Sequence, residues 1–100
     1  MTQNERVKAY DKFTQVWGKL SQYNQAIEEM AELTQALCKL NRPDLQDKYD
    51  EYVKLVQEEI ADTLNCVEQL EYMFGHSEIE KLRDYKLNRT LNVIKKDAKF

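Results

Sequence analysis

The chain has 100 residues, of which 42% are hydrophobic and 33% charged, and its formal net charge is -3. Its 15 basic residues are interspersed with 18 acidic ones, so we expect no basic surface for a nucleic-acid backbone. No apolar run approaches the roughly 20 residues of a membrane span, and the polar start MTQNERVK is not a secretory signal, so we expect no membrane partner and a cytoplasmic location.

Two Gly and one Pro are too few turn-forming residues for many short strands, so the composition predicts an all-α fold and one domain, residues 1–100. A chain this short buries a modest fraction of its surface, and we expect it to gain stability in an oligomer. The two cysteines, Cys38 and Cys66, have no CxxC spacing, which predicts reduced thiols packed as small hydrophobic groups.

The first half of the chain predicts two helices. Thr2 and Glu5 have the spacing of a capping box that opens the first helix, and Gly18 ends it. Ser21 is the predicted N-cap of the second helix, which ends near Leu40 because Pro43 follows. Apolar residues recur at helical spacing on both: Val7, Tyr10, Phe13, Val16 and Trp17 on the first, and Ile27, Met30, Ala31, Leu37 and Cys38 on the second.

A third helix is predicted from about Leu45 to Phe74, ended by Gly75. Ser77 and Glu80 then predict a second capping box for a last helix. The third helix has the longest apolar stripe, formed by Tyr49, Tyr52, Val53, Val56, Ile60, Leu64, Val67, Leu70 and Phe74. We expect this stripe, with Met30 and Leu37, to form the core and a subunit interface. The last helix carries Ile79, Leu82, Tyr85, Leu91 and Ile94.

Two similar pentapeptides interrupt the apolar pattern, EEMAE at 28–32 and EEIAD at 58–62. On each helix the acids lie outside the main apolar stripe, among the residues of a second apolar flank. The four acids that do so are Glu29, Glu32, Glu59 and Asp62. Carboxylates gathered in a partly buried place repel one another unless a cation lies among them, and oxygen ligands favour Mg²⁺ or Mn²⁺.

Two alternatives to such a Mg²⁺ site follow from the same residues. Glu-x-x-Glu spacings are common on solvated helix faces, so either pentapeptide alone is more simply a solvent-exposed surface. A di-iron carboxylate site requires Glu-x-x-His on two helices, whereas the only histidine, His76, is far along the chain from both pentapeptides.

The two acidic segments, EEMAELTQALCK and EEIADTLNCVEQLEYMFG, resemble the signature of the MazG-like branch of the all-α nucleoside triphosphate pyrophosphohydrolases. The likeness extends to VWGKLSQYNQAIEEM before the first segment and to YKLNR after the second. It covers most of residues 13–90 and is nearest to the short single-domain versions of phages and prophages. The resemblance implies a four-helix MazG-like bundle assembled as a homodimer or a homotetramer (a dimer of dimers).

The resemblance also implies a reaction, hydrolysis of a nucleoside triphosphate between the α and β phosphorus to give a monophosphate and pyrophosphate. In that reading Glu29, Glu32, Glu59 and Asp62 hold Mg²⁺, with Mn²⁺ as a substitute. Glu28 orients or deprotonates the attacking water, and Glu58 is an equal candidate or a partner of the metal ligands.

Further positions are candidates for binding the substrate. Lys86 and Arg89 match the basic residues that the family places on its last helix, and Arg suits phosphate oxygens. Trp17 is a candidate for stacking on a base, as is Tyr23, and Asn65 for hydrogen bonding to a phosphate or a base edge. Lys39 and Arg42 are weaker phosphate candidates.

Two other functions remain open at this stage. One is a non-catalytic helical interaction module in which the acids bind a partner or a structural cation. The other is a hydrolase of a signalling nucleotide, which keeps the metal site and changes the substrate. Neither the base nor the sugar of the substrate follows from the residue pattern.

Overall fold

The computed structural model describes residues 1–42 and 47–97, without the side chain of Asp97. Four α-helices occupy nearly all of these residues, and the described ranges contain no strand. The helices are α1 (Gln3–Trp17), α2 (Lys19–Leu40), α3 (Tyr49–Phe74) and α4 (His76–Asp97). The prediction of an all-α chain with four helices is confirmed. In the same ranges no helix combines the length and the apolarity that a membrane crossing requires.

The helices belong to two compact units. The first unit, Met1–Leu70, contains α1, α2 and most of α3, and the second, Glu71–Phe100, contains the last residues of α3 and α4. The predicted metal ligands all lie in the first unit, and the predicted phosphate-binding residues Lys86 and Arg89 lie in the second. That the whole chain is one domain stays a prediction.

Both glycines of the chain connect consecutive helices through a single residue. Gly18 lies between α1 and α2 with φ +85°, and Gly75 lies between α3 and α4 with φ +116°. L-residues with a side chain rarely adopt such positive φ values, which explains why glycine occupies both joints. Each glycine N–H closes the preceding helix, donating to Thr14 O at 2.8 Å and to Glu71 O at 3.0 Å.

The predicted caps are correct at the first helix and wrong at two others. At α1 the capping box is complete, because Glu5 N–H donates to Thr2 Oγ1 and Thr2 N–H donates to Glu5 Oε1, both at 3.1 Å. Ser21 is not the N-cap of α2, because the helix resumes directly after Gly18, whose carbonyl accepts from Gln22 N–H at 3.3 Å.

The same correction applies to the last helix. Ser77 is not its N-cap, since α4 begins at His76 and the Gly75 carbonyl accepts from Ile79 N–H at 3.0 Å. In both places a single glycine separates the two helices, so the next helix begins before the serine is reached. The predicted break at Pro43 and the predicted start at Leu45 lie outside the described residues, and α3 is described from Tyr49 onward.

The core of the first unit is small and mixes apolar with polar residues. The buried side chains are those of Tyr10, Gln22, Ala26, Ala36, Val56 and Gln69. Gln69 of α3 donates through Nε2 to two atoms of α1, Tyr10 O at 3.4 Å and Thr14 Oγ1 at 3.3 Å. A buried amide needs such partners, so Gln69 fixes where α1 lies against α3.

Most residues of the longest apolar stripes lie outside this core, contrary to the prediction, although Val56 of the α3 stripe is buried in it. Met30 and Leu37 are 41% and 47% exposed, and Leu64 at the centre of the α3 stripe is 62% exposed. The thiol of Cys38, predicted to be packed, is exposed for the same reason, while Cys66 is half-buried. The inner side of α2 and α3 is instead the second flank, the one that carries the acids, with Ala36 buried on it. The proposed subunit interface on the stripes stays a prediction.

A carboxylate on α3 links two side chains of α1. Glu68 Oε1 accepts from Arg6 Nε at 2.7 Å and from the Tyr10 hydroxyl at 2.9 Å. Burial, and then the bond to Glu68, raise the pKa of Tyr10 to about 12. The neutral phenol is therefore the form that the folded chain stabilises.

Replacing Tyr10 with Phe is expected to lower the free energy of unfolding by about 1 kcal/mol, because one net hydrogen bond is lost and the ring is kept. Urea unfolding followed by circular dichroism measures this difference. Tyr49→Phe is the matched control, since Tyr49 is 53% exposed. Equal losses in the two variants would show that the Glu68 contact contributes nothing.

Candidate functional site

The two acidic pentapeptides meet between α2 and α3. One carboxylate oxygen each of Glu29, Glu59 and Asp62 lies within 4.8 Å of the others. At the same level Thr63 Oγ1 of α3 donates to the backbone carbonyl of Glu29 at 3.3 Å, so the two helices are in direct contact there. We call Glu29, Glu32, Glu59 and Asp62 the acidic cluster.

Glu32, the fourth predicted ligand, belongs to this cluster through its interactions. Its interaction with Glu59 raises the pKa of that carboxyl, and its charge raises the pKa of Glu29 as well. Glu28 and Glu58, the two predicted water-activating residues, are exposed on α2 and α3 next to the cluster in sequence. Of these two, Glu28 is close enough for its charge to act on Glu29.

The acidic cluster encloses carboxylate oxygens that have no partner. Glu29 Oε2 and Glu59 Oε2 are shielded from solvent and accept no hydrogen bond, whereas Glu29 Oε1 accepts from Gln25 Nε2 at 2.8 Å. Burial raises the pKa of both glutamates, and the charge of Glu32 raises it further. Unpartnered buried anions are costly, so the donor set of the cluster fits a bound cation, and its all-oxygen composition fits a hard one.

A cavity of about 460 Å³ adjoins the acidic cluster within the first unit. It borders the cluster through Gln25, which bonds Glu29, and through Cys66, whose pKa is raised by burial and then by the charges of Glu29 and Asp62. The lining combines aromatic rings with amides and consists of Tyr10, Phe13, Trp17, Ser21, Gln22, Gln25, Asn65, Cys66 and Gln69. Such a mixture suits a small molecule with a flat ring and polar edges.

Two of the predicted substrate-binding residues line this cavity. Trp17 is 61% exposed and its ring centroid lies 5.6 Å from that of Phe13, at a tilt of 32°. Asn65 comes from α3, one turn beyond Asp62. Tyr23, the alternative stacking residue, is half-buried on α2 and is not part of the lining.

The predicted basic residues are exposed. Lys86 and Arg89 lie on α4 in the second unit, where the Arg89 guanidinium stands 6.0 Å from the centroid of the Tyr85 ring. Lys39 lies in the last turn of α2 and Arg42 follows that helix. A role for any of the four in binding phosphate stays a prediction.

Three glutamines at this site were not predicted from the sequence. Gln22 and Gln69 are buried in the cavity wall, and Gln25 donates a hydrogen bond to the Glu29 carboxylate. A sequence signal exists for Gln25, which lies four residues before Glu29 and therefore one turn away on the same helix face. Gln22 and Gln25 are also three residues apart on the flank that carries the acids, and buried amides are uncommon enough to mark a polar site.

No family model, curated protein or solved structure matches the chain significantly.

Glu59→Gln is expected to make the metal-free chain more stable at pH 7. The folded state raises the pKa of Glu59, so the carboxyl stabilises the fold while it is protonated and loses that contribution as the pH rises through its folded pKa. Glutamine keeps the shape of the protonated acid at every pH. The urea midpoint measured in EDTA should therefore exceed that of the wild type at pH 7, and the two should converge near pH 4.

Glu58→Gln is the matched control, because it removes the same charge at an exposed neighbouring position. If Glu59→Gln unfolds at the same or a lower urea concentration than the wild type at pH 7, the cluster is not under electrostatic strain.

Proposed function

We propose that the chain is a Mg²⁺-dependent nucleoside triphosphate pyrophosphohydrolase of the MazG-like type, which releases a monophosphate and pyrophosphate in the cytoplasm. The observation that carries the proposal is the pair of solvent-shielded, unpartnered oxygens of Glu29 and Glu59, adjacent to a cavity with aromatic and amide walls. A triphosphate brings both a flat base for the cavity and the anionic oxygens that share a cation with carboxylates.

The four residues of the acidic cluster are the proposed Mg²⁺ ligands, because they combine only oxygen donors from two facing helices. Bound Mg²⁺ would neutralise the phosphates and lower the pKa of a coordinated water. Glu28 is the proposed base, since it is exposed beside the ligands and able to accept a proton from water.

The cavity walls determine what is bound beside the metal ligands. Trp17 offers an exposed ring face for stacking, and the amide of Asn65 offers both a donor and an acceptor to a base edge. The ring of Phe13 supports Trp17 from one side.

Activity is expected with Mg²⁺ and one or more nucleoside triphosphates, with equal amounts of monophosphate and pyrophosphate. Glu32→Gln should lower kcat/KM at least about a hundredfold, because even residues behind the ligands of a metal cost 10 to 100-fold. Glu51→Gln, an exposed acid in the first turn of α3, is the control and should leave activity unchanged.

Separate assays of each ribo- and deoxynucleoside triphosphate also identify the preferred base. Hydrolysis of a signalling nucleotide instead of the triphosphates would retain the metal chemistry and change the substrate. The absence of turnover on every substrate, together with a melting temperature that Mg²⁺ does not raise, would favour the non-catalytic interaction module.

We also propose that the exposed stripes of α2 and α3 form the interface of a homodimer or homotetramer. Ile27, Leu37 and Leu64 are 60%, 47% and 62% exposed, and further large apolar residues of the stripes are exposed as well. Contiguous exposed apolar surface on a short chain is typical of a protein–protein interface.

Leu64→Glu is expected to shift the chain toward the monomer in sedimentation equilibrium, because a charge enters the centre of the apolar stripe. Lys54→Glu places a larger charge change on the solvent side of the same helix and should leave the mass unchanged. A wild-type chain that sediments as a monomer at every concentration would contradict the proposed interface.

A further inference from the structure

A second group of potential metal ligands lies at the joint between α3 and α4. Glu71 comes from the last turn of α3, and His76 and Glu80 come from the start of α4, with Gly75 between them. One donor atom from each of the three side chains lies within 4.8 Å of the others. All three residues belong to the second unit, and none has a role in the proposed hydrolysis.

The two nearest donors are close together without being hydrogen-bonded. His76 Nδ1 and Glu71 Oε1 are 2.9 Å apart and shielded from solvent, and the angles between them do not suit a hydrogen bond. The imidazole nevertheless acts on the carboxyl as an ion-pair partner, because it lowers the pKa of Glu71. The Glu71 side chain is only 13% exposed. When Nδ1 carries no proton, its lone pair and the Glu71 carboxylate lie side by side, as two adjacent ligands of one cation do.

The distance between these donors agrees with metal coordination. Protein nitrogen and oxygen ligands lie at about 2.1 Å from a zinc-sized cation. Two ligands of such a cation are about 3.0 Å apart at the right angle of an octahedral site and about 3.4 Å apart at a tetrahedral angle. The 2.9 Å between His76 Nδ1 and Glu71 Oε1 is close to the octahedral value. Glu80 supplies the third donor from one turn further along α4, on the same helix face as His76.

The orientation of the imidazole is held by its neighbours. The His76 ring stacks on Tyr72 with centroids 4.5 Å apart and an interplanar angle of 6°. Glu80 raises the pKa of the neighbouring Glu71, and Glu80 Oε1 accepts from Arg83 Nη1 at 2.8 Å. The positive φ of Gly75 brings the end of α3 and the start of α4 together, so the three donors are fixed by a rigid turn and not by a loop.

We propose that Glu71, His76 and Glu80 form a binding site for a first-row divalent transition metal such as Zn²⁺. The imidazole nitrogen favours such a cation over Mg²⁺, which prefers oxygen alone. In the metal-bound chain the cation links the end of α3 to the start of α4 across Gly75. The site does not depend on the proposed hydrolase activity.

The single histidine of the chain makes the test direct. A tag-free, uniformly ¹⁵N-labelled chain is kept in excess Mg²⁺, so that hard oxygen sites are filled, and titrated with Zn²⁺ while the imidazole nitrogens are recorded by NMR. We expect the Nδ1 resonance of His76 to shift to the position of a metal-bound nitrogen with one equivalent of Zn²⁺, and Mg²⁺ alone to leave it unchanged.

Glu71→Gln and Glu80→Gln are each expected to weaken Zn²⁺ binding at least about tenfold, because each replaces a charged carboxylate ligand with a neutral amide of similar shape. Glu78→Gln is the matched control on the same helix turn, where the exposed carboxylate pairs with Lys81 at 3.6 Å, and it should bind like the wild type. Circular dichroism verifies that the variants keep their helices.

Three results would overturn the proposal. The first is that the Nδ1 resonance of wild-type His76 does not shift when Zn²⁺ is added. The second is that only the Nε2 resonance shifts. The third is that the Zn²⁺ titration midpoints of Glu71→Gln and Glu80→Gln equal that of Glu78→Gln. That result would show an adventitious contact of Zn²⁺ with a lone imidazole.

Discussion

The packing of α2 against α3 depends on how the chain tolerates several carboxylates in one enclosed place. Glu29 and Glu59 each direct an oxygen away from solvent, and in the described part of the chain no lysine or arginine pairs with either of them. The amide of Gln25, which donates to Glu29, relieves part of the repulsion. The rest persists as raised pKa values, and a cation is the group that removes it without changing the fold.

This constraint also explains the unusual polarity of the small core. The inner faces of the helices carry Gln22 and Gln69 beside Tyr10 and two alanines, while much larger apolar residues such as Leu64 face outward. A core built only from leucines would leave the acids in an apolar environment without hydrogen-bond donors. Amides near the cluster lower that cost and at the same time give the neighbouring cavity its polar walls.

The positions of helices and acids could be predicted from the sequence because both follow from local rules. Three helix ends follow from the capping box of Thr2 and Glu5 and from the glycines at 18 and 75. The helical period then places Glu29 on one side of α2 and Glu59 on one side of α3. Serine is a favoured N-cap residue, but Ser21 does not serve as one, because α2 already begins at Lys19 with Gly18 in the N-cap position.

Two other features could not be predicted from local patterns. A helical wheel shows that α2 and α3 each have two apolar faces, but it does not show which face is buried within the chain. That depends on where the other helices pack. The convergence of Glu71 with His76 depends on the tight turn at Gly75, and no spacing rule for one helix extends across such a joint.

The central claim is that the acidic cluster binds a hard cation, and proton release tests it most directly. Because Glu29 and Glu59 have raised pKa values, a cation that binds their ionised forms must displace protons at a pH slightly above the ordinary glutamate value of about 4.3. Calorimetric titration with Mg²⁺ in two buffers of different ionisation enthalpy measures that release. The account predicts release from the wild type and none from a chain with Glu29→Gln and Glu59→Gln. Mg²⁺ binding without proton release, or no binding at all, would contradict it.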